Sequence, residues 1–377
     1  MEYSVLTFVL ILMLSLANGT NDVSKAVATL VGSGITTYRT AIAWGTAWTM
    51  VGAGIAAVVA TAMVKTFSSG LFQPNLAVPS ALAPAILCGA FLWVLVASKT
   101  GLPVSTTHAL TGSLAGAGLL AFGSEGLIWS TVLKKITLPL LLSPFLALGL
   151  SLFVHPLIKS LAGRWEGVCV CIMPSYRALV RVDAQGCTRT LFQPGGIGIP
   201  VTAVPSQCER SGLSGPTVGL DSLHWLSSGL ASLARGTNDA PKIAAMLLLG
   251  SSTAMWPNTA WQGLTFAGVA MAMGIGSYWG GRRVTTVLAE RVTTMNHAEG
   301  LSANLTTSSL VMLSGVLGLP VSTTQVSSSA IVGIGLLRGH ASIRWTTVRE
   351  MVLAWIVTVP VSGFLACLAY FLFSRTL

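Results

Sequence analysis

Two heptapeptides in this chain are identical: Gly101-Leu102-Pro103-Val104-Ser105-Thr106-Thr107 and the segment Gly318–Thr324. A second pair, Gly19-Thr20-Asn21-Asp22 and Gly236-Thr237-Asn238-Asp239, stands at the same offset of 217 residues. Two separate pairs sharing one offset mean an internal duplication, so the fold must accommodate one unit twice. That unit is apolar. The runs Ala41–Val64, Ala81–Ser98, Ile136–Ile158, Thr259–Trp279 and Met351–Phe373 are near or above the roughly 20 residues that cross a bilayer as helix. Charged residues are 8% of the chain, where a soluble domain carries about 25%. The sequence reads as an all-α polytopic membrane protein.

Span parity then decides the relation between the copies. About five spans in each half, an odd number, would turn the second copy upside down. Inverted-topology repeats of this kind build secondary transporters, with the site at the bilayer midplane between them. An even count would give parallel repeats. Broken or re-entrant helices around the polar motifs bring the expected total to 10–12 membrane segments. Charge favours the odd count, because no Lys or Arg precedes Lys25, which suits an N-terminus outside. Lys159, Arg164, Arg177, Arg181, Arg189 and Arg210 lie between the halves, which suits the cytoplasm. The expected organisation is a first repeat over 1–158, a hydrophilic cytoplasmic insert over 159–217 and a second repeat over 218–377, with both termini outside. Within the insert, Val168–Val182 and Thr188–Phe192 alternate as short strands do. The net charge of +10 is scattered between apolar runs, so the expected partner is lipid and not nucleic acid. Ser4–Leu14 follows Met1-Glu2-Tyr3, which has no basic residue, and is not read as a signal peptide.

The polar motifs carry the chemistry. Proline at 103 pushes Leu102 to extended geometry, and Ser105 or Thr106 can then cap the helix that follows. Free backbone N–H groups, hydroxyls and the positive end of the helix dipole converge there, which makes an anion site with no basic side chain. Two copies, Ser105-Thr106-Thr107 and Ser322-Thr323-Thr324, can enclose a tetrahedral oxyanion from two sides; taken singly, each is also an ordinary cap. Asp22 and Asp239 are carboxylates in apolar surroundings, where a charge costs about 2.5–3.5 kcal/mol. With Asn21 and Asn238 they suit Na⁺ or a proton. Asn18-Gly19 is expected to interrupt its helix, and unwound backbone at Gly19-Thr20 and Gly236-Thr237 would add carbonyl ligands. Lys25 and Lys242 follow each Asp by three residues on one helix face, either neutralising it or touching the anion. His108 and Gln325 follow the two Ser-Thr-Thr motifs as accessory candidates.

These residues resemble the inorganic phosphate transporter (PiT) family. The likeness rests on the paired Asn-Asp and Pro-Val-Ser-Thr-Thr motifs, on Glu299-Gly300-Leu301 and on Gly280-Gly281-Arg282-Arg283-Val284. It covers both halves and omits most of the insert. The resemblance implies an inverted-repeat fold, re-entrant elements at the Ser-Thr-Thr motifs and cation-coupled phosphate symport at the plasma (inner) membrane. By motif, Asn21, Asp22, Asn238 and Asp239 would hold the coupling cation or substrate, and Ser105, Thr106, Thr107, Ser322, Thr323 and Thr324 the phosphate. Three positions depart from the family: Gln325 opposite His108, Ala240-Pro241 after Asp239, and Thr49 where eukaryotic relatives place a glutamate.

No cofactor is expected beyond Na⁺ or H⁺ as coupling ion. Cys169, Cys171, Cys187 and Cys208 fall in the insert with irregular spacing; inert thiols are preferred there to a zinc site. Sulfate is the alternative substrate, since it too is a tetrahedral oxyanion. An intramembrane serine hydrolase, prompted by Gly212-Leu213-Ser214-Gly215, is disfavoured because that serine lies in the polar insert, outside any span, with no helix-borne histidine suitably placed. No enzymatic activity is expected, and a homodimer is compatible with the sequence.

Overall fold

The computed structural model describes residues 2–68, 70–74, 76–165, 169–173, 176–182, 188–194, 199–203, 217–250 and 259–376. The first half runs α1 (Glu2–Asp22), α2 (Ser24–Gly32), α3 (Tyr38–Val59), α4 (Thr61–Ser68), α5 (Leu82–Thr100) and α6 (Thr106–Phe122). A 3₁₀ turn, Ser124–Gly126, leads to α7 (Trp129–Thr131), which continues through a π-helical stretch, Val132–Thr137, into α8 (Leu138–Trp165). After five short strands between residues 169 and 218 come α9 (Leu220–Ala244), α10 (Met246–Gly250), α11 (Thr259–Gly280), α12 (Arg282–Glu290), α13 (His297–Val316) and α14 (Thr323–Arg338). A second 3₁₀ turn, His340–Ser342, precedes α15 (Trp345–Thr376). The order long, short, long, short, long, long, 3₁₀, long is thus written twice. Among the described residues, five stretches are long and apolar enough to cross a membrane: Ser4–Gly32, Tyr38–Val59, Leu82–Thr100, Trp129–Leu161 and Trp345–Arg375.

Between the halves, antiparallel pairing joins Cys169–Met173 to Ile199–Ala203 and Tyr176–Val182 to Thr188–Pro194. The cysteine set proposed for zinc lies outside the residues whose side chains are described.

The halves are interleaved. α1 packs on α11 and α9 on α3, each first helix lying against the second long helix of the other half. Glycine sets these distances. A Cβ on Gly19 would meet the Met273 carbonyl oxygen at 2.2 Å, and one on Gly276 the Leu16 oxygen at 2.0 Å. The other crossing repeats this: Gly236 against the Thr49 oxygen at 2.3 Å, Gly52 against the Leu233 oxygen at 2.2 Å. The packing therefore carries the duplication into α3 and α11, which share no motif. Thr49 corresponds to Met273, Gly52 to Gly276 and Ala53 to Ser277, at an offset of 224.

The same glycines correct one expectation. Asn18-Gly19 does not interrupt α1, and Gly236-Thr237 lies within continuous α9; the breaks fall later, at Val23 and Ala245. Gly19 and Gly236 serve close helix approach, the role of small residues where backbones meet inside a membrane. After α11, α12 and α13 are separate helices.

The glycine that opens each heptapeptide has a different task. Gly101 and Gly318 take φ of 81° and 65°, left-handed values that end α5 and α13. Leu102 N then donates to Ala97 O at 3.0 Å and Leu319 N to Ser314 O at 2.9 Å, closing both helix ends alike. Helix α13 begins with a reciprocal cap. The Asn296 side chain accepts from Glu299 N at 2.9 Å, and Glu299 Oε2 accepts from Asn296 N at 2.7 Å. Arg338 Nη1 also donates to Glu299 Oε2, at 3.4 Å. Glu299→Ala is expected to lower stability by about 1–2 kcal/mol, read as a lower thermal midpoint of the detergent-purified protein.

Candidate functional site

All ten residues of the duplicated Asn-Asp and Ser-Thr-Thr motifs are buried. Ser105 and Ser322 cap α6 and α14, accepting from His108 N and Gln325 N at 3.2 Å each. The caps settle the sequence alternative in favour of serine, and both following threonines are freed to reach outward. Thr107 Oγ1 donates to the Val321 carbonyl at 3.3 Å, and Thr324 Oγ1 to the Val104 carbonyl at 2.7 Å. Each heptapeptide thus binds the extended residue of the other, and the two helix starts form one unit.

The acids join them. Lys25 Nζ pairs with Asp22 Oδ1 and donates to Val104 O at 3.1 Å. Lys242 Nζ pairs with Asp239 Oδ1 at 3.3 Å and donates to Val321 O at 3.2 Å. The lysines therefore both neutralise the acids and clamp the heptapeptide of their own half. Lys242 also crosses to the other half, donating to Thr107 Oγ1 at 2.7 Å. Thr323 Oγ1 donates to Asp22 Oδ2 at 3.4 Å.

Asn18, absent from the sequence candidates, sits at the centre. Its Nδ2 lies 3.1 Å from Asp22 Oδ2, 2.9 Å from Thr106 Oγ1 and 3.4 Å from Asp239 Oδ2. One amide therefore touches both carboxylates and the first Ser-Thr-Thr motif. The signal for it was available: it precedes Asp22 by four residues, hence on the same helix face. Asn21 Nδ2 donates to Leu102 O at 3.0 Å, and Asn238 Nδ2 to Asp239 Oδ1 at 2.9 Å and Val321 O at 3.3 Å. Their amide oxygens are another matter. Asn18 Oδ1, Asn21 Oδ1 and Asn238 Oδ1 are buried with no hydrogen-bond donor among the described residues. Pro241, inside α9, has no N–H for the Thr237 carbonyl. Buried acceptors without donors are costly, and beside two carboxylates they make an oxygen-rich environment of the kind hard cations prefer.

His108 and Gln325 face elsewhere. Both line an apolar cavity of about 590 Å³ between α8 and α15, with Leu141, Phe145, Val352 and Trp355. Neither side chain hydrogen-bonds to the acid cluster, and His108 Nδ1 and Gln325 Oε1 are unpartnered. Their accessory role at the motif site is not what this geometry offers. Arg235, Thr49 and Ser277 form a further polar group in the core. Arg235 Nη2 donates to Thr49 Oγ1 at 2.7 Å and Ser277 Oγ at 3.2 Å.

Comparison with known proteins gives a consistent picture. A family model described as "Phosphate transporter family" matches residues 18–366. A protein of Mycobacterium tuberculosis named "Probable low-affinity inorganic phosphate transporter" is 30% identical over 360 residues, covering 94% of this chain and 73% of that one. A protein of Pyrococcus abyssi named as a phosphate permease is 26% identical over 396 residues, covering 97% and 96%. A solved structure described as "The sodium-dependent phosphate transporter" matches with a TM-score of 0.76 at 22% identity, covering both chains completely.

Proposed function

The chain belongs to the phosphate transporter family, and from that premise we propose that it carries inorganic phosphate across a membrane by cation-coupled symport. The two repeats are inverted in the bilayer and alternate access to a site between them. Ser105, Thr106, Thr107, Ser322, Thr323 and Thr324 hold the phosphate at the two helix starts, where backbone N–H groups and hydroxyls meet the positive dipole ends. Asn21, Asp22, Asn238 and Asp239 hold the coupling cation, with Asn18 between them. The membrane is the plasma membrane, the termini lie outside, and the segment between the repeats is cytoplasmic.

The observation that carries the coupling is the set of donorless amide oxygens beside Asp22 and Asp239. A cation supplies what those acceptors lack, and it offsets the charge of an incoming oxyanion. The structural neighbour is named as sodium-dependent, so Na⁺ is the first ion to test, with H⁺ the second.

Purified protein in liposomes is expected to accumulate labelled phosphate when an inward Na⁺ or H⁺ gradient is imposed. Arsenate should compete and sulfate should not, because phosphate at neutral pH carries a proton to donate to a carboxylate and sulfate carries none. Accumulation that ignores both gradients would refute symport. Equal competition by sulfate would reassign the substrate.

A further inference from the structure

One buried charge in the core occurs only once. Arg235 is 1% exposed and precedes Asp239 by four residues on α9, hence on the same helix face; its duplicate position, Asn18, stands likewise four residues before Asp22. Those acids are already paired, with Lys25 and Lys242. Among the described residues no carboxylate pairs with the guanidinium, and its Nε and Nη1 have no acceptor. A buried, unpaired guanidinium is strongly disfavoured unless an anion completes it.

The surroundings are built for this charge on one side alone. The duplication places neutral Asn18 opposite Arg235, at the offset of 217. In the packing register of α3 and α11, Thr49 and Ser277 stand opposite Met273 and Ala53. The two hydroxyls that hold Nη2 thus exist only where the guanidinium is, and their counterparts are apolar. Ser277 Oγ also lies 3.3 Å from the Gly19 carbonyl, which ties the arrangement to the first Asn-Asp motif. At Thr49 a neutral hydroxyl anchors the arginine and leaves its charge uncancelled.

We propose that Arg235 is the fixed counter-charge of the transported phosphate, its free N–H groups donating to the anion and its charge replacing one coupling cation. This rests on the transport reading above and deepens it. With both Asp–Lys pairs neutral, the cluster holds one excess positive charge. A dihydrogen phosphate monoanion cancels that charge without added cation, and a hydrogen phosphate dianion does so with one. Arginine suits the task because its planar donors match oxyanions and it stays charged when buried.

The test uses full-length protein in liposomes, with phosphate uptake and the charge moved per phosphate measured against an imposed membrane potential. Arg235→Gln is expected to raise the KM for phosphate about tenfold or more and to raise the coupled cations per phosphate by one. Arg235→Lys is expected to weaken phosphate binding less and to keep the wild-type stoichiometry. A Gln variant with unchanged KM and stoichiometry overturns the role of Arg235 while leaving phosphate transport intact. Wild-type protein that takes up no phosphate overturns the transport reading itself, and this inference with it. If Arg235→Gln is not monodisperse in detergent, the Lys variant decides. A weakened KM at constant stoichiometry supports the proposal, and an unchanged KM or a shifted stoichiometry overturns it.

Discussion

Asp22→Asn is expected to abolish gradient-driven phosphate uptake, lowering the initial rate by about a hundredfold or more. The carboxylate is 1% exposed. It receives the Lys25 ammonium, the Asn18 amide at 3.1 Å and the Thr323 hydroxyl at 3.4 Å. An amide in its place removes the negative charge that a cation needs. It also leaves Lys25 buried without a counter-charge, and breaking such a pair costs about 3–5 kcal/mol. The two consequences can be separated. Asp22→Asn combined with Lys25→Met removes the stranded ammonium, so thermal stability should recover while uptake stays absent. Uptake in the single variant that still follows the cation gradient would sink the role given to Asp22. Recovery of uptake in the double variant would show that the pair serves folding alone.

The second large effect concerns the scaffold, and α3 contains its own control. Gly52→Ala would set a Cβ 2.2 Å from the Leu233 carbonyl oxygen of α9, whereas Gly54 has nothing within 4 Å. To reach ordinary contact at Gly52, α3 and α9 must part by about 1 Å. That shift carries Thr49 away from Arg235 and α9 away from the heptapeptides it clamps. Overpacking of ordinary cores costs about 1–3 kcal/mol, and a clash with backbone belongs at or above the top of that range. Gly52→Ala should therefore yield little monodisperse protein, with a markedly lower thermal midpoint. Gly54→Ala should match the parent. Equal behaviour of the two variants would show that α3 and α9 do not cross as described.

Both effects fall on residues that the sequence brought forward to different degrees. The duplication marked Asn21-Asp22, Asn238-Asp239 and the Ser-Thr-Thr motifs, because repetition at one offset is visible without any structure. The long apolar runs marked the helices that carry them. Repetition also hid something, for it draws attention to what the halves share. Arg235 and its supports Thr49 and Ser277 occur on one side only; Thr49 stood out solely as a departure from the family, and no pattern pointed to Arg235 or Ser277. Gly19 and Gly236 were misleading for a related reason. Glycine inside a helix signals a break when the chain is considered alone, but here the deciding neighbour is a helix of the other half, more than 180 residues away. His108 and Gln325 belong with them: adjacency to a motif along the chain does not fix the side on which a helical side chain emerges.

One consequence of the interleaving concerns movement. The last helix of each half, α15 and α8, packs against the fifth and sixth elements of the other half: α15 on α5 and α6, α8 on α13 and α14. On Gly112 a Cβ would meet the Val359 oxygen at 2.3 Å, so α6 and α15 touch backbone to backbone. The halves defined by sequence thus cannot swing apart as two jaws without tearing these contacts. The natural rigid bodies are chimeric: two lobes, each assembled from both copies, set around a shared frame of α1, α3, α9 and α11. The gene's repeat boundary and the molecule's mechanical seams lie in different places.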